Sequence, residues 1–184
     1  NLSATVNGIP PKVVDLCVIT VDSLTNSNTL VWTKPFSTEI KQFNIYKESF
    51  VANKFDLIGA VDYTSLSEFN DPNSNANQRA WRYKISTVDI CGNESELSLA
   101  HKTFHLHVDS TQGNYNLYWN EHQGFSYDKY YIYRYVNEWS LIDSLPAGLN
   151  SFTDFSAPSG NVYYAVEAKH PSGCVPSKKA NNRN

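Results

Sequence analysis

The chain has 184 residues, with 15 Lys and Arg against 18 Asp and Glu and a formal net charge of −3. That balance excludes the basic footprint of a nucleic-acid binder. At 14% aromatic residues the chain is too rich in rings for intrinsic disorder, and its longest apolar run falls far short of the ~20 residues of a membrane-spanning helix.

Residues 1–11 read as an N-terminal extension. Strands are predicted at 16–21 and 28–33, separated by a polar run. Residues 43–47 alternate faces, with Phe43 and Ile45 on one side and Asn44 and Tyr46 on the other. Further strands are predicted at 55–61, 65–69, 81–88 and 96–103. Turn clusters Asp71-Pro72-Asn73-Ser74-Asn75 and Cys91-Gly92-Asn93 punctuate them. No window has a helical period. Seven short strands in about 90 residues predict a β-sandwich.

The pattern then begins again. Leu30-Val31-Trp32-Thr33 matches Leu117-Tyr118-Trp119-Asn120, and Phe43-Asn44-Ile45-Tyr46-Lys47 matches Tyr130-Tyr131-Ile132-Tyr133-Arg134. Leu57-Ile58 matches Leu141-Ile142, Phe69-Asn70-Asp71 matches Phe152-Thr153-Asp154, and Tyr83-Lys84-Ile85 matches Tyr164-Ala165-Val166. Five blocks kept in order predict two homologous domains, at 12–103 and 104–180, with a tail at 181–184. Residues 97–109 contain no Gly and no Pro, so the junction is expected to be short and stiff, and the pair rod-like. The chain contains no Met, which suggests a processed product or a segment of something longer.

These blocks resemble fibronectin type III domains, and the resemblance covers both copies. Trp32 and Trp119 stand where the family has its second-strand Trp. Tyr83-Lys84-Ile85-Ser86-Thr87-Val88-Asp89 followed by Gly92-Asn93-Glu94-Ser95 is the most specific match. The second copy keeps Tyr164-Ala165-Val166-Glu167-Ala168 and Gly173 but places Pro171 and Cys174 in the turn. The resemblance implies an all-β fold of two tandem seven-stranded, immunoglobulin-like sandwiches. It further implies a secreted or cell-surface setting, of the kind found in large proteins exported by Gram-negative type IX secretion. The family supplies spacers, adhesive surfaces and protein-binding platforms and is rarely catalytic. Expected partners are therefore other domains of a parent protein, an extracellular protein or glycan, or further copies of the chain, with no nucleic acid and no membrane insertion.

Three cysteines are present. The resemblance places Cys17 and Cys91 at the same pole of the first sandwich, so a Cys17–Cys91 disulfide is expected, with Cys174 unpaired or bonded outside the chain. On the third strand of the second copy, Tyr131, Tyr133 and Tyr135 share the parity opposite the core, and Tyr163 has outward parity on the sixth strand. A row of rings offers large contact area at small entropic cost, which suits sugar or protein recognition. A cross-strand ladder explains the same row. His105 and His107, followed by Asp109, have a spacing that zinc uses on strands. A polar outer face beside Phe104, Leu106 and Val108 predicts the same alternation and is preferred. The oxygen-rich run from Asp71 to Asn77 lacks the Gly of a calcium loop at its sixth position and is read as a solvated turn. There is no nucleophile elbow, zincin motif, phosphate loop or dinucleotide fingerprint. No cofactor, no metal and no catalytic residue is expected.

Overall fold

The computed structural model describes residues 8–22, 24–111 and 113–174. In chain order the strands are β1 Leu16–Val21, β2 Asn28–Trp32, β3 Ile40–Glu48, β4 Phe55–Asp62, β5 Glu68–Asp71, β6 Arg82–Asp89 and β7 His101–Lys102. They continue with β8 Leu106–Thr111, β9 Asn114–Trp119, β10 Lys129–Tyr135, β11 Trp139–Pro146, β12 Ser151–Asp154 and β13 Tyr163–Ala168. All the pairings between these strands are antiparallel. Sheet β1-β2-β5 faces sheet β4-β3-β6-β7, and sheet β12-β9-β8 faces sheet β11-β10-β13. Two tandem sandwiches result.

Each sandwich is closed by side chains of alternating parity from both of its sheets. In the first, Leu30 and Trp32 from one sheet meet Phe43, Ile45, Tyr83 and Ile85 from the other. The Trp32 ring lies 5.4 Å from that of Phe43. In the second, Leu117 and Trp119 meet Tyr130 and Ile132, and the Trp119 and Tyr130 rings are 5.4 Å apart, edge to face. Most of the repeat blocks thus contribute to the core of both copies, whereas Leu57, Ile58 and Leu141 of the third block are exposed.

A polar node recurs beside each core. In the first copy, Asp71 on β5 pairs with Lys47 of β3 at 2.7 Å and accepts a hydrogen bond from the Tyr83 hydroxyl at 2.8 Å. The Tyr83 hydroxyl accepts in turn from the Asn28 amide at 2.9 Å. In the second copy, Asp154 pairs with Arg134 at 2.7 Å and accepts from the Tyr164 hydroxyl at 3.0 Å. Burial works against the Asp154 charge. The Ser156 amide and hydroxyl, Arg134 and Tyr164 outweigh it and hold the carboxyl below its ordinary value. The first node ties four strands and the second three, in each case from both sheets of the sandwich.

Three expectations differ from the structure. The predicted strand at 96–103 shrinks to His101–Lys102. Upstream of it, serine side chains replace the ladder. Ser95 Oγ accepts from the Thr87 amide at 2.9 Å and Ser98 Oγ from the Ile85 amide at 3.0 Å, so the segment follows β6 without regular pairing. The strand predicted at 65–69 begins at Glu68. Lys34 Nζ donates to the Tyr63 carbonyl at 2.7 Å and to the Ser65 carbonyl, which holds the preceding residues in a turn. The second sandwich shows six strands among the described residues where seven are expected. The expected seventh strand, the end of the second domain at residue 180 and the tail at 181–184 lie outside the described residues. No helix among the described residues is long and apolar enough to cross a membrane.

Candidate functional site: the seam between the sandwiches

Hydrogen bonds and ring contacts join the two sandwiches where they meet. Residues 101–105 are hydrogen-bonded to both sides. The Thr103 amide donates to the Trp81 carbonyl at 2.9 Å, and the Trp81 amide donates to Thr103 Oγ1 at 2.9 Å. On the other side, the Lys102 amide donates to the Gln123 carbonyl at 2.6 Å. Asn120 closes the corner, accepting from the His105 amide at 2.6 Å and donating to the Thr103 carbonyl at 2.9 Å.

A histidine pair fills the seam. His101, only 2% exposed, sits on β7 of the first sandwich. Its ring lies 4.9 Å from that of His122 and 5.7 Å from that of Phe125, both in the loop after β9. Phe104 and Tyr127 flank His122, and Phe125 touches His170. Gly124 permits this packing. It has φ of +146°, and a Cβ there would lie 2.5 Å from His101 Nδ1. All four ring nitrogens of the pair are buried without a hydrogen-bond partner of ordinary geometry. Burial, aided by the neighbouring His122 and His170, lowers His101 to about 3, against the opposing pull of the Leu16 carbonyl. Burial lowers His122 to about 4, opposed by the Lys102 carbonyl. Both rings are therefore neutral at pH 7.

A covalent tie crosses the same seam. Cys17 on β1 is bonded to Cys174 beyond β13, with Cα atoms 6.0 Å apart. This corrects the expected Cys17–Cys91 bridge and the expected unpaired Cys174. Cys91 is free and exposed. It sits in the turn after β6, where Asp89 accepts from the amides of Cys91 and Asn93 at 2.9 and 2.8 Å. The expected result of a thiol titration on native, unreduced protein is one reactive group per chain, lost in Cys91→Ser.

The tyrosine row occupies the outer face of sheet β11-β10-β13. Tyr131, Tyr133 and Tyr135 are half-buried and Tyr163 is 58% exposed. Much of the row is engaged internally. Lys169 Nζ lies 4.3 Å from the centre of the Tyr131 ring, and the Tyr133 hydroxyl donates to Glu167 at 2.9 Å. Tyr135 lies 5.4 Å from Trp139 and 6.1 Å from Tyr163. The structure thus brings Tyr135, Trp139 and Tyr163 into one aromatic group, exposed at Trp139 and Tyr163, and leaves Tyr131 and Tyr133 in a polar ladder.

The remaining candidates are separated or engaged. His105 precedes β8 and its ring lies 3.1 Å from the Asn77 carbonyl. His107 stacks on Tyr118, and Asp109 accepts from Asn116 at 2.9 Å. No group of three potential metal ligands comes together among the described residues. In the run from Asp71 to Asn77, Asp71 is held by Lys47, the Asn73 carbonyl accepts from Lys47, and Asn75 accepts from the Asn77 amide. Its oxygens bind protein donors, as a structural turn requires.

Sequence reasoning missed the histidine pair and the Cys17–Cys174 bond. His101, His105 and His107 cluster at the junction in the sequence, and the His-x-His spacing favours the last two, whereas the buried ring is His101, whose partner is 21 residues away. No family model and no curated protein matches this chain. Among solved structures, the chicken interferon gamma receptor alpha chain is 9% identical with a TM-score of 0.37, covering 90% of this chain and 95% of its own. The FN1–FN3 domains of chicken CNTN1 are 14% identical with a TM-score of 0.40, covering 92% of this chain and 65% of their own. Likeness at this level carries nothing about function.

Proposed function

We propose that this chain is a non-catalytic, extracellular, stiff two-domain spacer within a larger secreted or cell-surface protein. The observation that carries the reading is the Cys17–Cys174 bond across the seam. A disulfide linking two sandwiches limits how far they can move apart, which suits a spacer. It also calls for an oxidising compartment, since cytosolic thiols are kept reduced. The doubly hydrogen-bonded segment at 101–105 supports the same reading, as does the resemblance of both copies to fibronectin type III domains. The multidomain setting of type IX secretion is the corresponding proposal for context, and domain limits of 12–103 and 104–180 are proposed with it. Small-angle scattering on the oxidised chain tests the reading. A spacer gives one narrow interdomain distance, independent of concentration. A broad distribution, as of beads on a string, contradicts it.

A second reading rests on the aromatic group of Tyr135, Trp139 and Tyr163, whose last two members are 51% and 58% exposed. Exposed rings on a rigid sheet suit stacking against a sugar or docking of a protein. A glycan array on the wild-type chain and on Trp139→Ala tests the sugar form. Binding weakened tenfold or more by the substitution supports it, and no binding by the wild type defeats it.

A further inference from the structure

We propose that the seam is an acid-responsive hinge. Neutral His101 and His122 hold the sandwiches against each other, protonation parts them, and the Cys17–Cys174 bond keeps them tethered. The inference rests on the spacer reading and adds a second, acid-induced state to it.

The ring pair forms the buried centre of the non-covalent contact, with centroids 4.9 Å apart. A proton on either ring places a charge among Phe104, Phe125 and Tyr127, and a second proton adds repulsion at that short distance. From the first sandwich, the polar groups facing the pair are the Leu16 and Lys102 carbonyls. From the second, His170 faces His101, and Glu121, with Lys102 and Gln123, lines a cleft beside His122. Among the described residues no carboxylate lies within hydrogen-bond distance of either ring, so none stabilises the added charge.

The sign follows from linkage. When the seam is open, both rings are solvated and titrate near 6.5. When it is closed they titrate well below that. The closed state is favoured fully above about pH 6.5, and that preference is lost as pH falls toward the depressed values. While both rings take up protons only on opening, the open-to-closed ratio grows up to a hundredfold per pH unit. Asp154 is held below its ordinary value by Ser156, Arg134 and Tyr164, so its node is not the group that acid reaches first.

Cys91 and Ser159→Cys, both exposed and on different sandwiches, accept spin labels in the oxidised chain. Pulsed dipolar distances are recorded between pH 7.5 and 4.2, with far-ultraviolet circular dichroism as the check on folding. The expected result is a narrow distribution at pH 7.5 that broadens reversibly below pH 6 with strand content unchanged. His101→Phe with His122→Phe should stay narrow throughout. A distribution that stays narrow to pH 4.2 overturns the hinge and leaves the spacer intact. A distribution already broad at pH 7.5 overturns the spacer reading itself. Identical broadening in the double variant overturns the histidine assignment. If that variant does not fold, ring-proton magnetic resonance of the wild type decides. Two rings must take up protons along with the broadening, and titration of both near 6.5 with no broadening overturns the proposal.

Discussion

Replacing both Cys17 and Cys174 by Ser is expected to cost on the order of 5 kcal/mol, the chain-entropy value for closing a loop of about 157 residues. For a chain of this size that corresponds to a fall in melting temperature of roughly 10 °C or more. The shape of the transition is as informative as its midpoint. The bond joins two units with separate cores, so the oxidised chain should unfold as one and the double variant in two steps. Calorimetry under oxidising conditions reads both features. Cys91→Ser should leave the curve unchanged, because Cys91 is exposed and unpaired. An equal loss from Cys91→Ser would place the stabilising bond elsewhere.

Asp71→Asn is expected to destabilise the first sandwich by about 3–5 kcal/mol, because it leaves the Lys47 ammonium covered and without its counter-charge. Lys47 and Asp71 side chains are 11% and 4% exposed, so water cannot replace the lost partner. Asp71→Asn combined with Lys47→Met should recover most of the loss, because no lone charge then remains. Asp154→Asn should act likewise on the second sandwich through Arg134, whose side chain is 19% exposed. Denaturant titration of each single and paired variant gives the coupling energy. A coupling near zero in both copies would mean the nodes are peripheral to stability.

The repeat makes much of this legible in the sequence. The blocks around Trp32, Phe43, Phe69 and Tyr83 repeat because their side chains meet in one core, and the same positions of the second copy meet in another. Alternation within each block assigned inward and outward faces, including the outward placement of Tyr163. The seam was not legible, for two physical reasons. Cys17 and Cys174 are 157 residues apart, and nothing local in either segment reports a contact at that range. The burial of His101 depends on a missing Cβ at Gly124 in the other copy, which no periodicity within a strand encodes. The shortened β7 arose similarly. Ser95 and Ser98 look like ordinary strand residues, yet their hydroxyls take the place of ladder carbonyls.

The tie between the two sandwiches depends on which cysteines are joined. A peptide map of the natively produced, unreduced chain, with free thiols alkylated first, answers this in one mass spectrum. The expected result is a single cross-linked pair containing Cys17 and Cys174, with Cys91 recovered alkylated. A cross-linked pair containing Cys17 and Cys91, or all three cysteines alkylated, would contradict it.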